Sequence, residues 1–152
     1  FFAAYVLAAI IRGTVVGLGV LLITSAVVRP ELREPAWIIT FAVAGGGVLG
    51  ACGLIAAILA DKVDQVAAFQ NFIVMPLTFL SGVFYSIHSL PVFWQTLSHF
   101  NPVFYVIDGF RFGFFGISDV APWISLGVVL ATLAVVSAVA LTLVARGYKL
   151  RH

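Results

Sequence analysis

Residues 75–116 read MPLTFLSGVFYSIHSLPVFWQTLSHFNPVFYVIDGFRFGFFG, and the architecture turns on how this stretch is read. An apolar helix rises from Met75 and breaks at Ser81-Gly82. Two short aromatic-rich segments follow, separated by Asn101-Pro102 and closed by Gly113 and Gly116. Neither short segment crosses a bilayer alone, because a span needs about 20 apolar residues. Nor is this the composition of a soluble loop, since Phe and Tyr dominate it. The pattern predicts a helical hairpin over about 89–116 that dips into the membrane from one side and returns, as the outer mouth of a transport path. Irregular backbone survives at membrane depth only where it is buried in protein or lines a cavity.

The rest of the chain fits a membrane setting. It is 62% hydrophobic and 9% charged, with mean hydropathy +1.17, whereas soluble domains carry about 25% charged residues. A net charge of +2 is too small to indicate nucleic-acid binding. The one cysteine, Cys52, excludes an internal disulfide and a multi-thiolate metal site, and its glycine-rich surroundings suit a packed small residue. The opening Phe-Phe-Ala-Ala reads as the inside of a helix, so a fragment of a longer polypeptide is expected.

Four apolar spans are predicted, at about 1–28, 36–60, 66–85 and 122–145. The first ends at Arg29-Pro30 and the second enters at Pro35. Asp61, Lys62 and Asp64 form a short charged loop. An internal proline removes a helical hydrogen bond, so the third span should kink at Pro76. Asp119 is expected to cap the last helix, with Pro122 in its first turn. The fold class is therefore an all-α, polytopic membrane protein with four transmembrane helices and a re-entrant hairpin before the last. Arg146, Lys149 and Arg151 in the tail place both ends, and the loop at 61–64, in the cytoplasm. Trp37, Trp94 and Trp123 then share the outer interface as an aromatic belt.

Gly13 and Gly17 make one small-xxx-small pair, and Gly46 and Gly50 another, spacings that let helices pack closely. The run at Gly45 is not a phosphate loop, because no Lys-Ser or Lys-Thr follows it. Arg12 is the one charge within a predicted span. Counted from the outer end at Val28 at 1.5 Å per residue, it lies about 24 Å down, near the inner boundary and within snorkelling reach. There it acts as an interfacial arginine, an inner gate, or an anchor to a neighbouring helix. Asp108 and Arg111, three apart, can pair on one helix face, or one of them faces the pathway or a partner subunit. Asn101-Pro102 reads as a helix start, and Ser89 as a second cap. Leu90, Phe93, Trp94 and Leu97 form an apolar stripe, with Gln95, Ser98 and His99 elsewhere. His88 and His99 lack a second ligand at metal spacing. No serine-histidine-acid set and no pair of span-embedded carboxylates is present, so no catalytic site is expected.

Taken together, Pro76-Leu-Thr-Phe-Leu-Ser-Gly-Val-Phe-Tyr85, Leu90-Pro91, Phe93-Trp94-Gln95, Leu97-Ser98-His99, Asn101-Pro102 and Ile107-Asp-Gly-Phe-Arg-Phe-Gly113 resemble the ABC-2-type transporter permeases. These are membrane subunits of bacterial ABC exporters, and the chain is similar to their C-terminal part, from the third helix onward. The resemblance implies a six-span subunit in the inner membrane, with its first two spans and main coupling helix outside this chain. It also implies a dimer, with a second permease copy and two ATPase subunits. ATP and Mg would be used by that ATPase, with no cofactor held by this chain. Candidate path or gate residues are Arg12, Phe79, Phe84, Phe93, Tyr105, Asp108 and Arg111. Phe112 adds to the aromatic wall, which suits an amphipathic or lipid-linked cargo or an interfacial anchor. Asp61, Lys62 and Asp64 are the candidate ATPase-facing loop. The competing readings are a non-transporting membrane scaffold and a membrane enzyme acting on lipid-linked substrates.

Overall fold

The computed structural model describes residues 1–27 and 32–146. Arg29, which marks the expected end of the first span, and Lys149 and Arg151 of the tail lie outside the described residues. All regular elements among those described are helical. In chain order they are α1 (Phe2–Val27), α2 (Pro35–Leu59), α3 (Val63–Phe69), a π-helical turn (Gln70–Val74), α4 (Met75–Phe79), a 3₁₀ turn (Ile87–Ser89), α5 (Val92–His99), α6 (Pro102–Phe115) and α7 (Pro122–Ala145). Three of these, α1, α2 and α7, are long and apolar enough to cross a membrane.

The bundle is built round α2, which packs against α1, α6 and α7. The reason lies in three consecutive glycines. Successive helical residues point about 100° apart, so Gly45, Gly46 and Gly47 face three different neighbours. A Cβ on Gly45 would lie 2.6 Å from Val106 of α6, one on Gly46 3.5 Å from the Ile10 backbone of α1, and one on Gly47 3.1 Å from Leu133 of α7. Gly50 repeats the contact with α1, at Ala9. Among apolar surroundings, close approach of this kind replaces the hydrophobic drive that water would supply. Gly13 and Gly17 differ, since no atom lies within 4 Å of a Cβ at either. Of the two expected small-residue pairs, the one in α2 mediates packing within the chain.

Towards one end, Phe41, Ala44, Val48 and Val129 are buried together, flanked by Trp37, Tyr105, Val106 and Phe110. Leu54, Ile58 and Ala140 form a second cluster towards the other end, with Phe2 and Leu143 against it.

The expected third span takes a modified form. Helical backbone runs without a break from Val63 to Phe79, and ends there rather than near Tyr85. In α geometry the Pro76 ring would clash with the carbonyl of Phe72. The π turn lies immediately before it, and the Met75 N–H bonds to the Gln70 carbonyl, five residues back. Widening the turn relieves the clash, as π-bulges do elsewhere. The helix stops at Leu80, and Gly82 takes a left-handed φ of +77°.

Candidate functional site

A helix end leaves its last carbonyls without backbone partners. At the end of α4 the loop that follows and the hairpin supply them. Asn101 Nδ2 donates to the Leu77 carbonyl. The Thr78 carbonyl accepts from the Ser81 N–H and hydroxyl. Tyr85 donates its hydroxyl to Phe79 at 2.7 Å, and Ser98 to Leu80 at 2.9 Å. Arg111 Nη2 reaches the Gly82 carbonyl at 2.6 Å. Asn101 also accepts from the Val103 N–H at 3.0 Å, so it caps α6 as expected, with Pro102 in the first turn.

These donors explain the orientation of α5. Ser98 is fully buried, and Gln95 bonds the Leu90 carbonyl at 2.8 Å. Val92, Phe93, Trp94 and Leu97 face outward and are exposed. The helix is thus inside-out at its contact face: Ser98 and Gln95 turn towards protein and the apolar stripe meets the surroundings, with Thr96 and His99 also exposed.

Asp108 and Arg111 do not pair with one another, although their spacing allows it. Asp108 is fully buried in α6, and its carboxylate accepts three hydrogen bonds. Oδ1 accepts from the Asp119 N–H at 2.7 Å; Oδ2 accepts from the Val120 N–H at 3.3 Å and from the Ser125 hydroxyl at 3.1 Å. Burial pushes the Asp108 carboxyl above the usual range, the three donors pull it back down, and the Asp119 charge nearby raises it again. Arg111 instead donates to Asp119 Oδ2 at 2.7 Å while holding Gly82. Asp119 Oδ1 lies 3.6 Å from His88 Nε2.

Asp119 therefore does not cap α7. The N-cap is Ala121, without a side-chain bond, and the Asp119 carboxylate is occupied by Arg111. Ser89 does not cap α5 either, since the N-cap is Pro91 and the Ser89 hydroxyl donates to Ser86. The result is one polar network joining the end of α4, the 3₁₀ turn, α6 and the approach to α7. Among the described residues, no buried side-chain nitrogen or oxygen lacks a partner.

A second contact seats the hairpin on the bundle. Gly109 and Gly113 lie one turn apart on α6, a small-xxx-small pair that the sequence reading did not single out. A Cβ on Gly109 would fall on the Phe41 ring, and one on Gly113 lies 2.5 Å from Ile38 Cγ1. The Gly113 carbonyl accepts from the Glu34 N–H at 3.0 Å. Trp37 stands beside this seam, 4.7 Å from Trp123 and 5.8 Å from Phe112 between ring centroids. Trp94 lies apart, against Phe93 at 5.5 Å.

The aromatic candidates divide into local groups. Phe79 stacks on Phe84 at 5.7 Å, and both are exposed. Phe93 is exposed on α5, while Tyr105 packs on Phe104 and donates its hydroxyl to the His99 carbonyl at 2.9 Å. At the opposite end, Asp61, Lys62 and Asp64 are exposed between α2 and the first turn of α3. There Gln65 reaches back to accept the Asp61 N–H at 2.7 Å. A shallow apolar groove of about 180 Å³, lined by Ile55, Leu59 and Phe69, lies beside this loop.

Arg12 is exposed on α1, and its level differs from the expected one. Ile10 lies against Gly46, and Leu133 against Gly47. Gly46, Gly47 and Leu133 fall at the middle of α2 (Pro35–Leu59) and α7 (Pro122–Ala145). Arg12, two residues beyond Ile10, is thus level with the centre of its neighbours rather than near their inner ends. The reason is that α1 has 26 helical residues, about 39 Å, so counting a fixed span from one end misplaces the middle.

Comparison with known proteins follows the same lines. The model of the ABC-2 type transporter family matches residues 1–115. The chain is 36% identical over 149 residues to the inner membrane transport permease YadH of Escherichia coli K12, covering 98% of this chain and 58% of that protein. Nodulation protein J of Rhizobium leguminosarum bv. trifolii is 30% identical over 66 residues, 43% of this chain and 25% of that protein. The chain thus spans little more than half the length of the permease it matches along almost all of its own. No solved structure matches it significantly. The family match reaches from α1 through the hairpin that the polar network holds in place, and the chain belongs to the ABC-2 type transporter family.

Proposed function

We propose that this chain is the C-terminal part of the permease subunit of an ATP-binding-cassette exporter, a multi-pass protein of the bacterial inner membrane. The spans are α1, α2, the segmented helix 63–79 and α7, and α5–α6 form a re-entrant hairpin on the outer side. The C-terminus is cytoplasmic. Two copies of a separate ATPase use ATP and Mg to drive transport, and a second permease copy completes the pore.

The observation that carries this reading is the inside-out α5. A helix too short to span, with Ser98 buried and Phe93 exposed, suits hydrocarbon outside and polar backbone inside. The network supplies the mechanical part. Arg111 bridges Gly82 and Asp119, and Asp108 holds residues 119, 120 and 125. The outer ends of α4, α6 and α7 are therefore tied into one body. In alternating access that body tilts as a unit when the ATPases close, opening or sealing the exit. The loop at Asp61, Lys62 and Asp64, with the groove beside it, is the surface offered to the ATPase.

The test is co-expression of the full-length protein with an ATPase encoded beside it, followed by reconstitution in lipid. Co-purification with vanadate-sensitive ATP hydrolysis supports the reading. A folded permease that binds no ATPase overturns it and favours a membrane scaffold.

A further inference from the structure

Arg12 is level with the middle of the bundle, and among the described residues no counter-charge stands at that level. Its depth follows from two contacts on different helices, Ile10 with Gly46 and Leu133 with Gly47. The carboxylates of the described residues stand elsewhere. Glu34, Asp108 and Asp119 belong to the hairpin end, and Asp61 and Asp64 to the opposite end. Glu31, outside the described residues, belongs in sequence to the same α1–α2 connection as Glu34. A second copy with the same topology brings its carboxylates to these same two levels.

Among the described residues Arg12 makes no ion pair and no side-chain hydrogen bond. Val6, Ala9 and Ile10 mark the side of α1 turned towards α2. Arg12 projects roughly 110° round the helix from them, bordering that interface. An arginine at mid-depth in hydrocarbon costs about 2.5–3.5 kcal/mol on insertion scales, and the headgroups lie about 15 Å away on either side. Such residues persist where water or an opposite charge reaches them.

We infer that Arg12 faces a water-filled path at the bilayer mid-plane and gives it a preference for anionic groups, so that the cargo is an amphipathic molecule bearing a carboxylate or phosphate. This rests on the permease reading and adds a substrate class to it. Arg12 binds and orients the anion halfway across, while the apolar side chains around it, among them Val15 and Val16, suit the cargo's hydrocarbon.

The experiment uses the full-length protein in a cysteine-free background, in lipid. Arg12→Cys should react with small charged methanethiosulfonates at least tenfold faster than Ile11→Cys, which is at the same depth but turned away from α2. Equal rates would overturn the water-filled path. Val16→Cys, one turn above Arg12, then reads the field. The sulfonate reagent should be favoured over the trimethylammonium one, and Arg12→Gln should reduce that preference at least about tenfold, because a unit charge at roughly 6 Å acts with opposite sign on the two reagents and gives that factor even at the dielectric of bulk water. An unchanged ratio would overturn the anion preference. With the ATPase present, dodecyl phosphate should stimulate hydrolysis more than dodecyl maltoside, and Arg12→Gln should abolish the difference; no preference for the phosphate overturns the cargo class. If instead the longer chain supplies a buried carboxylate to Arg12, Arg12→Gln loses folded yield, Arg12→Lys restores it, and Arg12→Cys stays unlabelled, which also overturns the inference. ATPase co-purification is scored separately, so failure of the permease reading is distinguishable from failure of this one.

Discussion

Replacing Asp108 tests whether the hairpin is held by polar contacts rather than by apolar packing alone. Asp108→Ala leaves the N–H groups of Asp119 and Val120 and the Ser125 hydroxyl without their acceptor at a fully buried position. Each orphaned donor costs about 1–3 kcal/mol, so the variant should lose at least about 3 kcal/mol. Asp108→Asn keeps one oxygen and turns an amide N–H₂ towards at least one donor. Its loss should be intermediate, at about 2 kcal/mol. Ser125→Ala removes one of the three donors and leaves the carboxylate with both backbone partners, for about 1 kcal/mol. The Arg111–Asp119 pair is untouched in all three. Unfolding would be followed in detergent, by stepwise heating and size exclusion and by titration with a denaturing surfactant. The expected order of stability is wild type, Ser125→Ala, Asp108→Asn, Asp108→Ala. If Asp108→Ala is no weaker than Ser125→Ala, the carboxylate is not the tie described here.

Three further outcomes are expected. Gly109→Ala drives a methyl into the buried Phe41 ring and should cost about 1–3 kcal/mol, whereas Gly13→Ala, with open space round it, should be neutral or slightly stabilising; the same unfolding assay separates them. Asn101→Leu loses both the α6 cap and the bond to Leu77, and should lower folded yield in membranes well beyond His99→Ala; equal yields would show that the cap is dispensable. Ser89→Cys, with Cys52→Ala, should react with an impermeant thiol reagent in whole cells, and labelling only after the inner membrane is opened would reverse the topology.

What the sequence made legible was local. Asn101 and the Val103 N–H are two residues apart, so the cap could be read directly. The break at Gly82 and the left-handed end at Gly116 depend on one residue's backbone freedom, and were equally visible. The helical class and long spans at α1, α2 and α7 followed from composition and run length. Misreadings arose where a side chain had a nearer partner in space than in sequence. Asp108 and Arg111 have the spacing to pair, yet each is occupied by residues eight to twenty-nine positions away. Asp119 and Ser89 stand where caps stand, but Arg111 takes one and Ser86 the other. The Gly109–Gly113 seam had the same spacing as the glycine pairs that were noted, and surrounding aromatics obscured it. Arg12 was misplaced in depth because depth is a relation between helices, visible only once Ile10 is seen against Gly46.

The capping of α4 also constrains the order in which the chain enters the bilayer during synthesis. The helix ending at Phe79 and the turn after it carry carbonyls, at Leu77, Leu80 and Gly82, whose donors are Asn101, Ser98 and Arg111, the last 29 residues downstream of Gly82. Released into lipid before those residues arrive, it would expose several unsatisfied carbonyls, each costing several kcal/mol. On the proposed topology it is not a finished unit when it leaves the ribosome, and it is expected to stay sheltered until α5 and α6 have emerged, so that this region enters the bilayer as one assembled piece, not helix by helix. A truncation between Gly82 and Asn101 should therefore leave the preceding helix stranded at the translocon, a fate that mutations within that helix would not by themselves produce.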